Sequence, residues 1–198
     1  RSVELIARRM DVLGRLMREE RIIVLARAAA AVQKGISKQE FSRLSLHLKL
    51  GDVIERDALL AKLVQLGYGH AEEVEGMGQF SARGGIVDVF PINSLVPVRI
   101  EFFDDEIDSL REFELQSKRS IRNTSSLSVL PLAGTDPSGN PELFLSYLDE
   151  DAAVLFDEPM RIREQILKLI KENPEIKKQI FGWEDIVAAA QERNVLYT

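Results

Sequence analysis

Apolar residues recur at Val3, Ile6, Met10, Leu13 and Met17, alternately three and four apart, and this spacing predicts an amphipathic helix over residues 3–17. The short apolar run Ile22-Ile23-Val24-Leu25 has no polar alternation and predicts a fully buried strand, followed by an alanine-rich helix ending near Gly35. The pattern then changes. Ser37-Lys38-Gln39-Glu40 has capping-box spacing and predicts a short helical turn, with Ile36 and Phe41 placed as a hydrophobic staple. Leu46, Leu48 and Leu50 alternate with Ser45, His47 and Lys49, which is strand periodicity with one wet face. Leu59, Leu60, Leu63 and Val64 restore helical spacing over residues 55–66, closed by Gly67.

From Glu72 to Leu130 the pattern is strands and turns. Ile86, Asp88 and Phe90 fall on one face and Val87 and Val89 on the other; Val98–Phe102 and Ile107–Phe113 continue the sheet. The connections are too short for crossover helices, so the sheet is expected to be mainly antiparallel. Gly134-Thr135-Asp136-Pro137-Ser138-Gly139-Asn140-Pro141 reads as a linker. Beyond it, Ala153–Phe156 predicts a buried strand, Arg161–Lys171 and Trp183–Gln191 predict helices, and Val195-Leu196-Tyr197 predicts a further strand. The expected fold class is α/β plus α+β: an α/β domain built from residues 1–36 and 134–198, with a mainly antiparallel α+β domain of residues 37–133 inserted between them.

Composition narrows the function. Of the 198 residues 45% are hydrophobic and 29% charged, an ordinary globular balance, and a chain that opens on Arg1 reads as a piece of a longer protein. With no cysteine there is neither a disulfide framework nor a thiolate site, which suits a cytoplasmic location. No apolar run is long enough for a membrane span, so no membrane partner is expected. A net charge of −6 argues against an autonomous nucleic-acid binder, which ordinarily carries a basic footprint.

Candidate chemistry is sparse. The phosphate-cradling pattern G-x-x-x-x-G-K-[ST] does not occur, nor does a G-x-S-x-G elbow. Gly76-Met77-Gly78-Gln79-Phe80-Ser81 starts like a dinucleotide fingerprint, but Ser81 holds the last position and a strand follows instead of a helix. Val154-Leu155-Phe156-Asp157-Glu158 has two readings: the magnesium-binding strand tip of a helicase-type ATPase, or an acidic strand end capping a helix that starts near Pro159. His47 and His70, without cysteines, are too few for a zinc site. Glu101, Asp104, Asp105, Glu106 and Asp108 read as a solvated turn. No metal, cofactor or catalytic residue is expected.

The stretch Gly78-Gln79-Phe80-Ser81-Ala82-Arg83-Gly84-Gly85-Ile86-Val87-Asp88-Val89-Phe90-Pro91, continued by Pro97-Val98-Arg99-Ile100-Glu101-Phe102-Phe103-Asp104-Asp105-Glu106-Ile107-Asp108-Ser109-Leu110-Arg111, resembles the signature shared by the repair protein UvrB and the transcription-repair coupling factor Mfd. Gly67-Tyr68 and Gln116–Ser120 extend the likeness. The wording from Phe103 to Arg111, and Ser81 where UvrB tends to carry arginine, look more like the coupling-factor branch. The resemblance implies a non-catalytic module, inserted in a degenerate helicase-like domain, that binds UvrA and recruits it to stalled transcription complexes. It also implies an ATP-dependent translocase motor, with RNA polymerase and DNA as partners, in other domains of the full-length protein. The alternatives are a fragment of the UvrB helicase, or a nucleotide-binding ATPase domain using Asp157.

Arg83 matches a family arginine implicated in meeting UvrA. His70, Arg99, Phe90 and Ser81 are further candidates. His70 stands where the family usually has arginine; Phe90 reads more readily as a core residue before a turn proline, and Arg99 equally as a cross-strand pair. Gly84-Gly85 is expected to form a bulge or a tight backbone approach that aims Arg83 outward. Phe102 and Phe103 should point to opposite sheet faces, with at least one of them facing the core or a covering element.

Overall fold

A computed structural model describes residues 3–132 and 140–198, so most of the expected linker, through Gly139, lies outside the described residues. In chain order the elements are helices α1 (Val3–Met17), α2 (Ala28–Ala31) and α3 (Lys38–Leu44), strand β1 (Leu46–Lys49), helix α4 (Arg56–Gln65), and strands β2 (Gly69–His70), β3 (Gln79–Arg83), β4 (Ile86–Val89), β5 (Val98–Phe103), β6 (Glu106–Phe113), β7 (Ser120–Asn123) and β8 (Ser126–Val129). A short 3-10 turn at Phe144–Tyr147 precedes β9 (Ala153–Phe156) and α5 (Pro159–Glu172). Another at Pro174–Lys178 precedes α6 (Trp183–Gln191) and β10 (Asn194–Tyr197).

The chain divides into two compact units: Arg1–Asp11 with Phe41–Ala133, and Val12–Glu40 with Gly134–Thr198. The first is built on a six-stranded sheet in the order β2-β3-β4-β5-β6-β7, antiparallel except for the short parallel pair β2–β3. Alternation divides its residues as the sequence pattern requires: Phe80, Val87, Val89, Ile100 and Leu110 are all buried to 2% exposure or less. Leu59 and Leu63, four apart on α4, are fully buried as well, and each such aliphatic side chain contributes about 1.5–3 kcal/mol. Gly67, with φ 88, turns the chain out of α4, which the left-handed region allows glycine to do without strain. The Tyr68 hydroxyl then ties two loops together, donating to the Leu130 carbonyl (3.1 Å) and accepting from the Ile92 N–H (3.2 Å). A separate antiparallel pair joins β1 to β8, with Leu48 buried and His47 exposed.

The second unit has a two-stranded parallel sheet, β9 beside β10. Its core gathers Val32, Leu143, Leu145, Val154, Phe156, Ile166, Ile180, Ile186 and Ala190. Ile162 and Ile170 of α5 pack against that core beside Ile166, as their spacing predicts. Ser37 accepts the Glu40 N–H at 3.3 Å, the cap expected at the start of α3.

Three local expectations fail. Ile22–Leu25 is not a strand: it has no ladder partner, and Ile23 and Leu25 are 92% and 95% exposed. A β-prone run gains nothing from extension unless a neighbour takes its N–H and C=O groups. The alanine-rich helix is a single turn, because Lys34, Gly35 and the Val32 carbonyl are drawn into backbone bonds with Gln179, Glu142 and Phe181. β9 is covered on one face only, with Val154 and Phe156 buried but Leu155 58% exposed.

Candidate protein-interaction surface

Arg83 closes β3 and pairs with Ile86 across a two-residue turn, Gly84-Gly85. This is a tight hairpin and not the expected bulge; the irregularities in register fall between Glu101 and Phe102 and between Glu112 and Phe113. Gly84 has φ 56, the left-handed conformation that two-residue hairpins demand and glycine supplies. The expected close approach occurs at Gly85, where an added Cβ would stand 3.2 Å from the Phe102 carbonyl, and the Phe102 N–H donates to the Gly85 carbonyl at 2.8 Å.

Cross-strand pairing places Arg83, Ile86 and Glu101 on one sheet face, joined two residues further along by Ser81, Asp88, Arg99 and Arg111. That face is a lattice of opposite charges. Arg99 forms a fork on Asp88, with two bonds of 2.8 Å, and its guanidinium lies 5.2 Å from the Phe113 ring centroid. The hydrogen bond to Asp88 holds the already high Arg99 pKa higher still. Glu101 accepts from both Arg111 and Ser109. Directly opposed, Arg99 and Arg111 would repel, and their flanking carboxylates answer that repulsion.

The sequence-derived candidates separate on this lattice. Arg83 has its side chain 64% exposed, with Glu73 at 3.2 Å as an exposed partner. Arg99, with its side chain 27% exposed, is engaged by Asp88, so it sits in the cross-strand pair. Ser81 is buried opposite Asp88, and Phe90 is buried at the end of β4, where its backbone bonds Gln79 and Gly78; neither side chain lies on the surface. Phe90 is a core residue, 6% exposed, and not a surface contact. His70 is exposed on β2, its ring 5.2 Å from that of Phe80.

Phe103 is a further exposed side chain at this end of the sheet, outside the sequence-derived candidates. It ends β5, 72% exposed, and alternation from Glu101 puts it on the face that carries Arg83. The two hairpin turns, Gly84-Gly85 and Asp104-Asp105, lie at the same end of the sheet because β4 and β5 run antiparallel there. The signal was present in the Phe102-Phe103 pair before an acidic turn. Phe102 is half-buried and Phe103 is the one left in solvent.

In the second unit Asp157 accepts from the Thr198 hydroxyl at 3.1 Å. Glu158 is the N-cap residue of α5, as the capping reading expects, but with φ 52 it makes no side-chain cap bond and its carboxylate pairs with Arg161. Among the described residues no group of three His, Cys, Asp or Glu side chains could hold a metal ion, and no helix is long and apolar enough to cross a membrane.

Residues 46–134, which run from β1 past β8, match the UvrB interaction domain family. The sheet that carries the arginine hairpin thus belongs to an interaction domain of that class. Over 131 residues the chain is 41% identical to a transcription-repair-coupling factor of Bacillus subtilis, covering 66% of this chain and 11% of that protein. Over 167 residues it is 33% identical to a transcription-repair-coupling factor of Haemophilus influenzae, covering 83% and 14%. A Staphylococcus epidermidis relative of the same description is 45% identical over 82 residues, 41% of this chain and 7% of that one. The chain belongs to the UvrB-homology region of the transcription-repair-coupling factor family, and it spans a small part of the length of these relatives.

Proposed function

We propose that this chain is a non-catalytic docking module that binds UvrA through the hairpin end of the six-stranded sheet, and so recruits UvrA to stalled transcription complexes. The observation that carries the reading is the coincidence of the UvrB interaction domain with an exposed arginine, Arg83, and an exposed aromatic, Phe103, at one end of the sheet. Arginine and aromatic side chains dominate protein-interface hot spots, because each combines a large buried area with directional contacts. The flanking unit is read as a degenerate helicase-like domain without ATPase activity; RNA polymerase and DNA are met by other parts of the full-length protein. The acidic net charge and the absent phosphate-loop sequence support this.

UvrA is expected to present a carboxylate opposite Arg83, since desolvated arginine–carboxylate pairs are costly to break. The Arg83→Glu chain should lose UvrA binding by calorimetry or fluorescence anisotropy. Its melting temperature should stay nearly unchanged, because the exposed pair with Glu73 contributes at most about 1 kcal/mol. Unaltered affinity would reject the site, and failure of the parent chain to bind UvrA would reject the reading. Phe103→Ala should weaken binding by about 2 kcal/mol or more if the ring is an anchor. Titration with a fluorescent ATP analogue and magnesium should give no saturable signal; micromolar saturation would overturn the non-catalytic assignment.

A further inference from the structure

Helix α4 opens on Arg56, a cation in the first turn, where the positive end of the helix dipole favours acids. Its guanidinium is committed elsewhere. Nη1 donates to the Gly84 carbonyl at 2.5 Å, while Nε and Nη2 donate to Asp57 Oδ1 at 3.2 and 2.9 Å. The Gly85 carbonyl is already taken by the Phe102 N–H. Both carbonyls of the two-residue turn are therefore held, one by the neighbouring strand and one by Arg56.

Two successive glycines have wide conformational freedom, so a hairpin closed by them would sample many directions for the residue before it. That residue is Arg83. We propose that Arg56 is a positioning residue of the docking hairpin: it fixes the Gly84-Gly85 turn, and with it the direction in which Arg83 leaves the sheet. The inference rests on the reading of Arg83 as the docking residue. A partner that meets an already ordered arginine loses less conformational freedom on binding, so the gain appears as affinity. A planar fork suits the task because it can hold Asp57 and the Gly84 carbonyl at once, with Asp57 aiming the guanidinium.

Five chains test this: parent, Arg56→Gln, Arg56→Lys, Arg83→Ala, and Arg56→Gln combined with Arg83→Ala. In Arg56→Gln the backbone NMR order parameters at Gly84 and Gly85 should fall from about 0.85 to below about 0.6. Affinity for purified UvrA should drop roughly tenfold, the scale of one hydrogen bond to a charged group. Arg56→Lys, which can still reach the Gly84 carbonyl, should recover most of both. In the Arg83→Ala background, Arg56→Gln should change affinity less than about twofold, because coupled residues are not additive. Unchanged order parameters would overturn the proposal, and so would an equal loss of affinity in both backgrounds, which would make Arg56 a contact in its own right. Absence of UvrA binding by the parent would instead defeat the docking reading, leaving the order parameters to judge the turn.

Discussion

The Tyr68 hydroxyl is buried between two backbone segments, where it serves as donor to Leu130 and acceptor from Ile92. Burial pushes its pKa well above the ordinary value of 10.0, against the smaller opposing effect of the Ile92 N–H. A raised folded-state pKa means that the folded chain keeps a proton the unfolded chain releases. The stabilisation is full below about pH 10 and declines above it. Chemical denaturation followed between pH 8 and about 11.5 should show this decline, and Tyr68→Phe should flatten it while costing about 1–3 kcal/mol at neutral pH, because two backbone groups lose their partner. Unequal fates of identical residue types mark the limit of reading at this scale. Phe90 and Phe103 both follow alternating strands in sequence, yet one is 6% and the other 72% exposed. What separates them is what lies against each: Phe90 continues the backbone ladder with Gln79 and Gly78, and Phe103 ends β5 at a hairpin turn, which is a property of neighbours and not of the residue.

Among the elements, α1, α4, α5, α6 and strands β4, β5 and β6 of the large sheet were legible because each carries its own periodicity, whereas β2 and β7, exposed throughout, carry none. Ile22–Leu25 and the alanine run were not, since their state depends on partners far along the chain. The hairpin was partly legible: two glycines announce a turn, but only the pairing of Arg83 with Ile86 distinguishes a two-residue turn from a bulge. The two glycines should respond differently to substitution. Gly84 has open space but φ 56, so Gly84→Ala should cost about 1–2 kcal/mol from backbone strain alone, while Gly84→Asn should cost less. Gly85→Val places a branched side chain against the Phe102 carbonyl and should cost about 1–3 kcal/mol, with exchange of the Phe102 amide accelerated. Urea titrations of the three variants check the order.

For the whole chain, sequence patterning anticipated an α+β unit flanked by α/β segments, and the mixed architecture with its antiparallel sheet fits the α+β part. It placed residues 1–36 together, whereas Arg1–Asp11 associates with the sheet unit, where Val3 Cγ1 lies 3.8 Å from the position a Gly78 Cβ would occupy. Ala7 and Met10 of that segment are buried at 5% and 0% exposure. A polypeptide of residues 37–133 should therefore be less stable than one of residues 1–133, by about 2 kcal/mol for the loss of Met10 burial. Comparison of their urea midpoints decides the point.

The two-residue turn also governs how this surface can change over generations. Side chains point alternately, so a single residue gained or lost between Arg83 and Ile86 would shift the β3–β4 ladder by one. Such a slip would turn Val87 and Val89 toward water and Asp88 toward the core. Exchanges of one amino acid for another at the exposed Arg83 or Phe103 leave that ladder intact. Descendants of this chain can thus retune the exposed end of the sheet by substitution, whereas a codon inserted or deleted in the hairpin would remove that surface and the sheet beneath it together.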